Sequence, residues 1–241
     1  HSTLKELQEK VKEEKADIGI GFDGDGDRVG VVDENGHIRS ADEVLLLLAR
    51  DHLSRNKGKP VIFTVSNSEI LNTEIVRLIG KPVMAKVGHS FVEHAMREHG
   101  ALIGGEQSGH FFCGEDYFGF DDALVATLRF LTALHGQSVG AAMSAFPKVF
   151  QMPEIRPFCA DDKKTAVIQK ITQHFSKSYP VNTLDGARID FGDGAWAGIR
   201  QSNTSPCLSV CIEARTQEKL ASVEREVLEH LRTYPEVKLG S

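Results

Sequence analysis

Cysteine is scarce in this sequence, with only 4 scattered among 241 residues. Cys207 and Cys211 would lie on the same face of one predicted strand, which is a poor geometry for a disulfide bond. Proteins of oxidising compartments use cysteine largely for disulfides, whereas cytoplasmic proteins keep their thiols reduced. The cysteine pattern therefore predicts a reduced, cytoplasmic chain.

The sequence also lacks long apolar runs and clusters of basic residues. Its longest apolar run, Val44 to Ala49, is far shorter than the roughly 20 residues that a membrane-spanning helix needs. No signal peptide is recognised at the start of the chain. The formal net charge is −6, and residues of both signs are interspersed. These absences disfavour membrane association and nucleic-acid binding.

The length of 241 residues exceeds one typical domain without requiring two full ones, and the remaining composition is typical of a folded protein. Hydrophobic residues make up 41% of the chain and charged residues 26%, so disorder is not expected. Strand and helix patterns alternate from residue 61 to residue 134, which predicts an α/β domain. The predicted elements in this part of the chain are helix 3–15, strands 17–22 and 29–33, helix 44–53 behind a Ser40/Glu43 capping box, strand 61–65, helix 69–79, strand 83–87, helix 91–99, strand 101–103 and helix 122–134.

A proline cluster separates this region from the end of the chain. Pro147, Pro153 and Pro157 fall within a short stretch, which predicts a linker or hinge. The segment that follows has an α+β pattern. Its predicted elements are helices 164–175 and 217–231 and strands near 187–191 and 208–213.

The most informative stretch is an acidic loop that alternates aspartate with glycine. Asp23, Asp25 and Asp27 occur at alternate positions, and Arg28 follows them. Three such carboxylates repel one another unless a cation offsets their charge, and the glycines allow the loop to wrap inward. Oxygen ligands of this kind suit a hard divalent cation such as Mg²⁺.

Three other interpretations of this loop remain open at this point. In a calcium EF-hand, Glu34 would occupy position 12, but Arg28 would occupy position 6, where the sharp turn requires glycine. The glycines at 19, 21 and 24 match a dinucleotide-binding fingerprint, although no helix is predicted to follow them. The loop could also be a solvated acidic turn without a ligand.

Several loops together resemble those of the α-D-phosphohexomutases, in the branch of the bacterial phosphomannomutase/phosphoglucomutases. Residues 23–28 resemble the metal loop of that family, residues 105–110 its sugar-binding loop, and residues 200–206 its phosphate-binding loop. Residues 88–90 and 117–122 also resemble this branch. The motifs occur in the family's order, and the resemblance runs from about Lys15 to the C-terminus.

The resemblance implies a three-part architecture. Residues 1–37 would be the C-terminal part of the family's second domain, with the metal loop. Residues 38–149 would be an α/β third domain with a mixed sheet and the sugar-binding loop. Residues 150–241 would be an α+β fourth domain with the phosphate-binding loop. The serine loop of the first domain, of the type Thr-x-Ser-His-Asn, is not found in this sequence.

The resemblance also implies an activity and its catalytic groups. Family members interconvert hexose 1-phosphates and 6-phosphates, here of mannose and glucose, through a hexose 1,6-bisphosphate formed by a phosphoserine. Asp23, Asp25 and Asp27 would hold Mg²⁺, with Arg28 as a fixed cation beside it. His89 would lie near the transferred oxygen. Without the N-terminal domains of the same enzyme, which are its expected partner, this chain would be inactive.

A further set of residues is expected to bind hexose phosphates. The histidines at 89, 94 and 99 are five residues apart, so a helix would spread them over different faces and a zinc site built from these three is not expected. Glu106 and Ser108 would bind the sugar's 3- and 4-hydroxyls in both of its orientations. The residues expected to contact the sugar or its phosphates are Lys86, Glu106, Ser108, His110, Arg200, Ser202, Asn203 and Thr204.

Two functional alternatives remain. The first is a phosphoglucosamine mutase, in which the metal loop typically has alanine at the position of Gly26 and the phosphate loop reads Ser-Gly-Thr at positions 202–204. Gln107, by contrast, is common in that enzyme. The second alternative is a non-catalytic module that binds sugar phosphates.

The proposed boundary near His37 carries a structural expectation. Residues 1–37 would supply only a helix and a two-stranded hairpin, which is marginal in water without neighbouring strands. The sequence therefore predicts that this segment is mobile or pairs with another molecule, while the rest of the chain folds without it.

Overall fold

The computed structural model describes residues 4–239, which form two compact units with the division after Pro147. The division falls at the first of the clustered prolines. The predicted α/β and α+β classes of the two regions are both confirmed. Among the described residues, no helix combines the length and the apolar character needed to cross a membrane.

The first unit begins with a helix packed on a three-stranded antiparallel sheet. Its elements are α1 (Lys5–Glu14), β1 (Ile18–Phe22), β2 (Val29–Asp33) and β3 (Ile38–Arg39), and the strands lie in that order in the sheet. Leu7 and Val11 of α1 lie directly over Gly19, where a larger side chain would collide with them. The predicted start of this helix at Thr3 lies outside the described residues.

A buried helix, α2 (Ala41–Arg55), forms the centre of this unit. Its start confirms the predicted capping box, because Ser40 Oγ accepts a hydrogen bond from the Glu43 amide and the Glu43 carboxylate accepts one from the Ser40 amide. The apolar run from Val44 to Ala49 is buried throughout, on every side of the helix. A helix that is apolar all round has to be enclosed by other elements.

A mixed sheet and its helices surround α2. The further elements are β4 (Pro60–Thr64), α3 (Ile70–Arg77), β5 (Lys81–Ala85), α4 (His89–His99), β6 (Ile103–Gly105), β7 (Phe111–Cys113), α5 (Ala123–Ala133) and α6 (Val139–Met143). The strand order is β5-β4-β6-β7, in which the first three strands are parallel and β7 runs antiparallel to β6. The sheet is therefore mixed, as predicted, although the sequence did not predict β3, β7 or α6.

The hairpin of β1 and β2 belongs to this unit and does not stand alone. Strand β2 packs against α5, and Val32 is fully buried. The Glu34 carboxylate accepts hydrogen bonds from Ser138 Oγ at 2.8 Å and from the Gly140 amide at 3.0 Å. The expectation that residues 1–37 lack neighbours within the chain is therefore wrong, because α5 and α6 supply them.

The second unit is a five-stranded antiparallel sheet with two long helices. Its elements are β8 (Phe150–Gln151), α7 (Asp161–Phe175), β9 (Val181–Asn182), β10 (Ala187–Asp190), β11 (Trp196–Gln201), β12 (Leu208–Ala214) and α8 (Gln217–Leu231), and the strand order is β8-β12-β11-β10-β9. Side chains of α7 and α8 share one apolar core with the sheet. All four cysteines of the chain are free and buried.

Replacing Val32 by alanine should lower the free energy of unfolding of the first unit by roughly 2 kcal/mol, because buried methyl groups are lost and a cavity remains. Val76, which is 60% exposed on α3, offers a matched control. Val76→Ala should change stability by no more than about 0.5 kcal/mol. Urea unfolding followed by circular dichroism measures both variants. Equal stability of Val32→Ala and the wild type would show that the hairpin lies outside the cooperative unit.

Candidate functional site

The acidic loop connects β1 to β2 and gathers its three aspartates. Oxygen atoms of Asp23, Asp25 and Asp27 all lie within 4.8 Å of one another. The neck of the loop is closed by a hydrogen bond from the Asp23 amide to the Arg28 carbonyl. Because strands flank the loop on both sides, it is neither a helix–loop–helix calcium site nor a dinucleotide-binding turn that leads into a helix.

Arg28 orders this loop. Its Nε donates to Asp23 Oδ2 at 2.6 Å, and its amide donates to Asp23 Oδ1 at 3.1 Å. Desolvation acts to raise the pKa of Asp23, but the hydrogen bonds from the backbone and side chain of Arg28 outweigh it and lower that pKa. The hydrogen bond to Asp23 raises the pKa of Arg28 in turn. Asp23 is therefore ionised, as a metal ligand must be.

The carboxylate oxygens of the loop are suitable ligands for Mg²⁺. Asp27 Oδ1 is buried and accepts no hydrogen bond from the described residues, although Arg28 Nε lies 3.6 Å from it. A buried carboxylate oxygen without a hydrogen bond is costly unless a cation compensates it. Three clustered carboxylates provide the oxygen ligands that Mg²⁺ prefers.

The loop of residues 105–110 joins the acidic loop through a backbone contact. The Val29 amide, at the start of β2, donates to the Gly109 carbonyl at 3.1 Å. Gly109 has a φ of +95°, and a Cβ atom there would lie 3.0 Å from the Val29 carbonyl oxygen. Only glycine combines this dihedral angle with so close an approach. The two loops are therefore held side by side within one unit.

Side chains also connect the two loops. Ser108 Oγ lies 2.7 Å from His110 Nδ1, and His110 Nε2 lies 3.3 Å from a carboxylate oxygen of Asp27. The three groups form a continuous polar chain from the loop of residues 105–110 to the acidic loop. A change in the charge of Asp27 therefore alters the electrostatic environment of His110 directly.

Glu106 is a buried carboxylate with one unused oxygen. The residue is only 3% exposed, and its Oε2 accepts a hydrogen bond from the Gly88 amide at 3.2 Å. Its Oε1 is buried and has no hydrogen-bond partner among residues 4–239. Burial raises the pKa of Glu106, and the nearby His110 and the Gly88 amide offset only part of that rise. Such an oxygen is suited to accept hydrogen bonds from a ligand.

His89 and Lys86 lie where β5 leads into α4. The helix begins at His89, two residues before the predicted start, because Gly88 adopts a φ of +133° and turns the chain. Lys86 Nζ lies 5.7 Å from the centre of the Phe91 ring. His89, Glu93 and Asp121 each offer a ligand atom within 4.8 Å of the others.

Asp121 is a residue that the sequence analysis missed. It lies within residues 117–122, which resemble the family, but the resemblance implies no role for it. It groups not only with His89 and Glu93 but also with Asp27 and His110, again within 4.8 Å. Its place in the sequence, directly before the helix-capping Asp122, gives no sign of these neighbours, so only tertiary structure reveals them.

The segment of residues 200–206, in the second unit, comprises the end of β11 and the turn towards β12, and polar contacts cross-link it. Ser202 Oγ accepts hydrogen bonds from Arg156 at 3.1 Å and from the Thr204 amide at 3.4 Å. Arg200 Nε is buried without a hydrogen-bond acceptor among the described residues. Asn203 and Thr204 are exposed at the tip of the loop. This arrangement presents hydrogen-bond donors to which an anion could bind.

A buried lysine, also missed by the sequence analysis, supports this loop from beneath. Lys164 lies in the first turn of α7 and is 4% exposed. Its Nζ donates to the carbonyl oxygens of Ser202 at 2.9 Å and Ser205 at 2.5 Å, and it pairs with Asp161 at 2.5 Å. These three contacts satisfy the ammonium group, so its role is to hold the loop.

The structure thus arranges the predicted residues in two sets, each within its own unit. In the first unit, Asp23, Asp25, Asp27 and Arg28 adjoin Glu106, Ser108 and His110, and His89 is linked to them through Asp121. In the second unit, Arg200 lies near the end of β11, and the turn that follows this strand carries Ser202, Asn203 and Thr204.

Comparisons with known proteins identify each part of the chain. The phosphoglucomutase/phosphomannomutase α/β/α domain III matches residues 40–150, and the C-terminal domain of that family matches residues 154–230. The α/β/α domain II of the same family matches residues 1–36. The three matches follow one another along the chain in the family's own order.

Individual relatives agree with these matches. A phosphomannomutase/phosphoglucomutase from Pseudomonas aeruginosa is 42% identical over 92% of this chain and 48% of its own length. A probable phosphoglucosamine mutase from Methanothermobacter thermautotrophicus is 32% identical over 98% of this chain and 51% of its own length. The crystal structure of a family protein from Burkholderia thailandensis matches with a TM-score of 0.88 and 33% identity, over 99% of this chain and 51% of that one.

The chain spans about half the length of these relatives. The matched domains are the second, third and fourth of the family, and the curated relatives are phosphohexomutases. The chain therefore belongs to the phosphoglucomutase/phosphomannomutase family and corresponds to its C-terminal part.

Proposed function

We propose that this chain is the sugar- and metal-binding part of a phosphohexomutase that interconverts the 1-phosphates and 6-phosphates of glucose and mannose. The reaction would pass through a hexose 1,6-bisphosphate, and an N-terminal half with a phosphoserine would carry the phosphoryl group. The observation that carries the proposal is the direct contact between the two loops, made by Val29 and Gly109 in the backbone and by Asp27 and His110 in the side chains.

The acidic loop would supply the metal. Asp23, Asp25 and Asp27 would hold Mg²⁺, which when bound neutralises charge on a phosphoryl group in transfer. Arg28 keeps Asp23 ionised and places a permanent positive charge at the same loop. In the superfamily, an Aspergillus fumigatus N-acetylphosphoglucosamine mutase has been solved in complex with GlcNAc-6P and magnesium. That protein is only 15% identical to this chain, so the match supports a shared fold alone. The proposal that this chain binds Mg²⁺ therefore rests on its three carboxylates.

The neighbouring loop would bind the sugar's hydroxyls. Glu106 Oε1 is buried and unpaired among the described residues, so a sugar hydroxyl that donates to it would compensate its burial. Ser108 lies in the same loop and would provide a second contact. When the sugar binds in the reversed orientation, its 3- and 4-hydroxyls exchange places, and the same two side chains bind them in both orientations.

His110 would orient Ser108 for that task. The Asp27 carboxylate favours a proton on His110 Nε2, which leaves Nδ1 as an acceptor. Ser108 Oγ then donates its proton to Nδ1 and keeps its oxygen lone pairs for the sugar. His89, at the exposed start of α4, would contact the reacting oxygen or phosphate, with Lys86 as an additional cation.

The second unit would hold the phosphate that is not reacting. Arg200 has a buried Nε without an acceptor among the described residues, and Ser202, Asn203 and Thr204 add hydroxyl, amide and backbone donors. Backbone amides and arginine together form the usual cradle for a phosphate group. Lys164 would position this cradle without touching the ligand.

The phosphoglucosamine mutase alternative is kept open by one finding. The probable phosphoglucosamine mutase from Methanothermobacter thermautotrophicus is 32% identical over nearly the whole chain. Gly26 and Asn203, by contrast, favour the glucose and mannose phosphates. A cytoplasmic setting with reduced thiols accompanies the proposal, in keeping with the four buried free cysteines.

The isolated chain should bind glucose 6-phosphate in the presence of Mg²⁺ but should not convert glucose 1-phosphate, because the serine loop expected from the family resemblance is not found in this sequence. Glu106→Gln should weaken binding about tenfold or more, since a charged hydrogen-bond acceptor for the sugar is lost. Glu98→Gln, on the exposed side of α4, is the matched control and should bind normally. Isothermal calorimetry measures binding, and a coupled assay measures turnover.

A fusion to the N-terminal half of the Pseudomonas aeruginosa relative then tests the activity itself. Turnover of glucose and mannose phosphates that is lost in Asp25→Asn would support the proposal. Preference for glucosamine 6-phosphate would favour the phosphoglucosamine mutase. A fusion that binds sugar phosphate without turnover, while the relative's own full chain is active, would indicate a non-catalytic module.

Lys164→Met should weaken the binding of glucose 6-phosphate and lower stability by roughly 1–3 kcal/mol, because the carbonyls of Ser202 and Ser205 lose their buried donor. Lys163→Met removes the neighbouring lysine, which is 55% exposed, and should change neither quantity. Lys164→Arg, which keeps the charge, should recover part of the affinity. Calorimetry and thermal unfolding give the two readouts, and unchanged affinity in Lys164→Met would contradict a positioning role.

A further inference from the structure

We propose that the chain carries a second metal site, formed by His89, Glu93 and Asp121, that takes a nitrogen-preferring divalent cation of the Zn²⁺ class. The three residues come from two separate segments: His89 and Glu93 lie on α4, and Asp121 precedes α5. One ligand atom of each lies within 4.8 Å of the others. Side chains four residues apart on a helix share a face, which explains why His89 and Glu93 converge.

The ligand types separate this site from the acidic loop. The acidic loop offers carboxylate oxygens alone, which suit Mg²⁺. The site at His89 combines one imidazole with two carboxylates, a set that Zn²⁺ binds well and Mg²⁺ does not favour. Three protein ligands leave a fourth position open for water or a ligand atom.

The charges around the site call for a cation. Glu93 and Asp121 bring two carboxylates close together, and Arg97 lies 3.4 Å from Glu93 at the outer side of the helix. Glu106 interacts electrostatically with His89 and Asp121. It is 97% buried, and its Oε1 has no hydrogen-bond partner among the described residues. Its Oε2 is fixed to the Gly88 amide, at the residue directly before His89. The unpaired carboxylate oxygen therefore lies at the start of α4, where His89 stands.

The site also adjoins the residues proposed to handle the sugar. Asp121 belongs to a second grouping, with Asp27 and His110, that links the His89 cluster to both functional loops. A cation held by His89 and Asp121 would occupy the space beside Glu106 and withdraw His89 from contact with phosphate. This part of the inference rests on the proposed function, and it predicts that Zn²⁺ inhibits sugar-phosphate binding.

Calorimetric titration of the chain with ZnCl₂ tests the site, with excess Mg²⁺ present to fill the acidic loop and with no sugar present. We expect one Zn²⁺ to bind, and the affinity to fall about tenfold or more in Glu93→Gln and in His89→Asn. His94→Asn, an exposed histidine on the same helix, and Asp25→Asn, in the acidic loop, should leave it unchanged. Circular dichroism checks that each variant is folded.

Each other result overturns the inference. Absence of Zn²⁺ binding to the wild type, or unchanged affinity in both Glu93→Gln and His89→Asn, would mean that no such site exists. Loss of binding in Asp25→Asn would place Zn²⁺ in the acidic loop, and loss in His94→Asn would indicate surface histidines.

A second titration examines inhibition separately. In the wild type, Zn²⁺ should weaken glucose 6-phosphate binding. In Glu93→Gln, which keeps every residue assigned to the sugar, glucose 6-phosphate should bind normally and Zn²⁺ should have no effect. Because the first titration contains no sugar, a failure of the proposed function would leave its outcome intact.

Discussion

The hydrogen bond from the Val29 amide to the Gly109 carbonyl is the contact on which the functional region depends. It ties the end of the acidic loop to the turn that carries Glu106 and Ser108, two segments about eighty residues apart in sequence. The approach is so close that a Cβ on Gly109 would meet the Val29 carbonyl at 3.0 Å. Once these backbones are joined, Asp27 and His110 come within ion-pair distance. The relative positions of the acidic loop and the loop of residues 105–110 are thus fixed by backbone geometry as well as by this side-chain contact.

The polar atoms left without protein partners are informative about ligands. Buried polar groups are nearly always hydrogen-bonded, so each exception among the described residues requires a reason. Of the seven such side-chain atoms in the described part of the chain, four lie outside the predicted loops, and the other three, Asp27 Oδ1, Glu106 Oε1 and Arg200 Nε, each lie in a different one of those loops. Two are carboxylate oxygens, suited to a cation or a hydroxyl, and one is a guanidinium nitrogen, suited to an anion. A divalent cation, a sugar and a phosphate would together satisfy all three.

The sequence predicted the local features of this fold and missed those that arise from tertiary contacts. The Ser40 capping box and the strand Val29–Asp33 were predicted correctly, because both depend on short-range chemistry. Strand β11 (Trp196–Gln201) was missed, since Ala197 and Gly198 give it little of the β-branched character of a strand. Lys164 and Asp121 were missed for a different reason. Each is an ordinary polar residue near the start of a helix, and most of its partners are distant in sequence.

The integration of the hairpin into the first unit explains how the acidic loop is held in place. An isolated two-stranded hairpin is marginal in water, and the acidic loop at its tip would be poorly ordered. Here α1 covers one part of the sheet, α5 packs against β2, and Glu34 binds the start of α6. The like charges of Asp23, Asp25 and Asp27 oppose the closing of the loop. Burial of Val31 and Val32 in β2 stabilises the hairpin and offsets this repulsion. Because α1 and α5 both pack against β2, the strand that follows the acidic loop is held in place by other elements of the first unit.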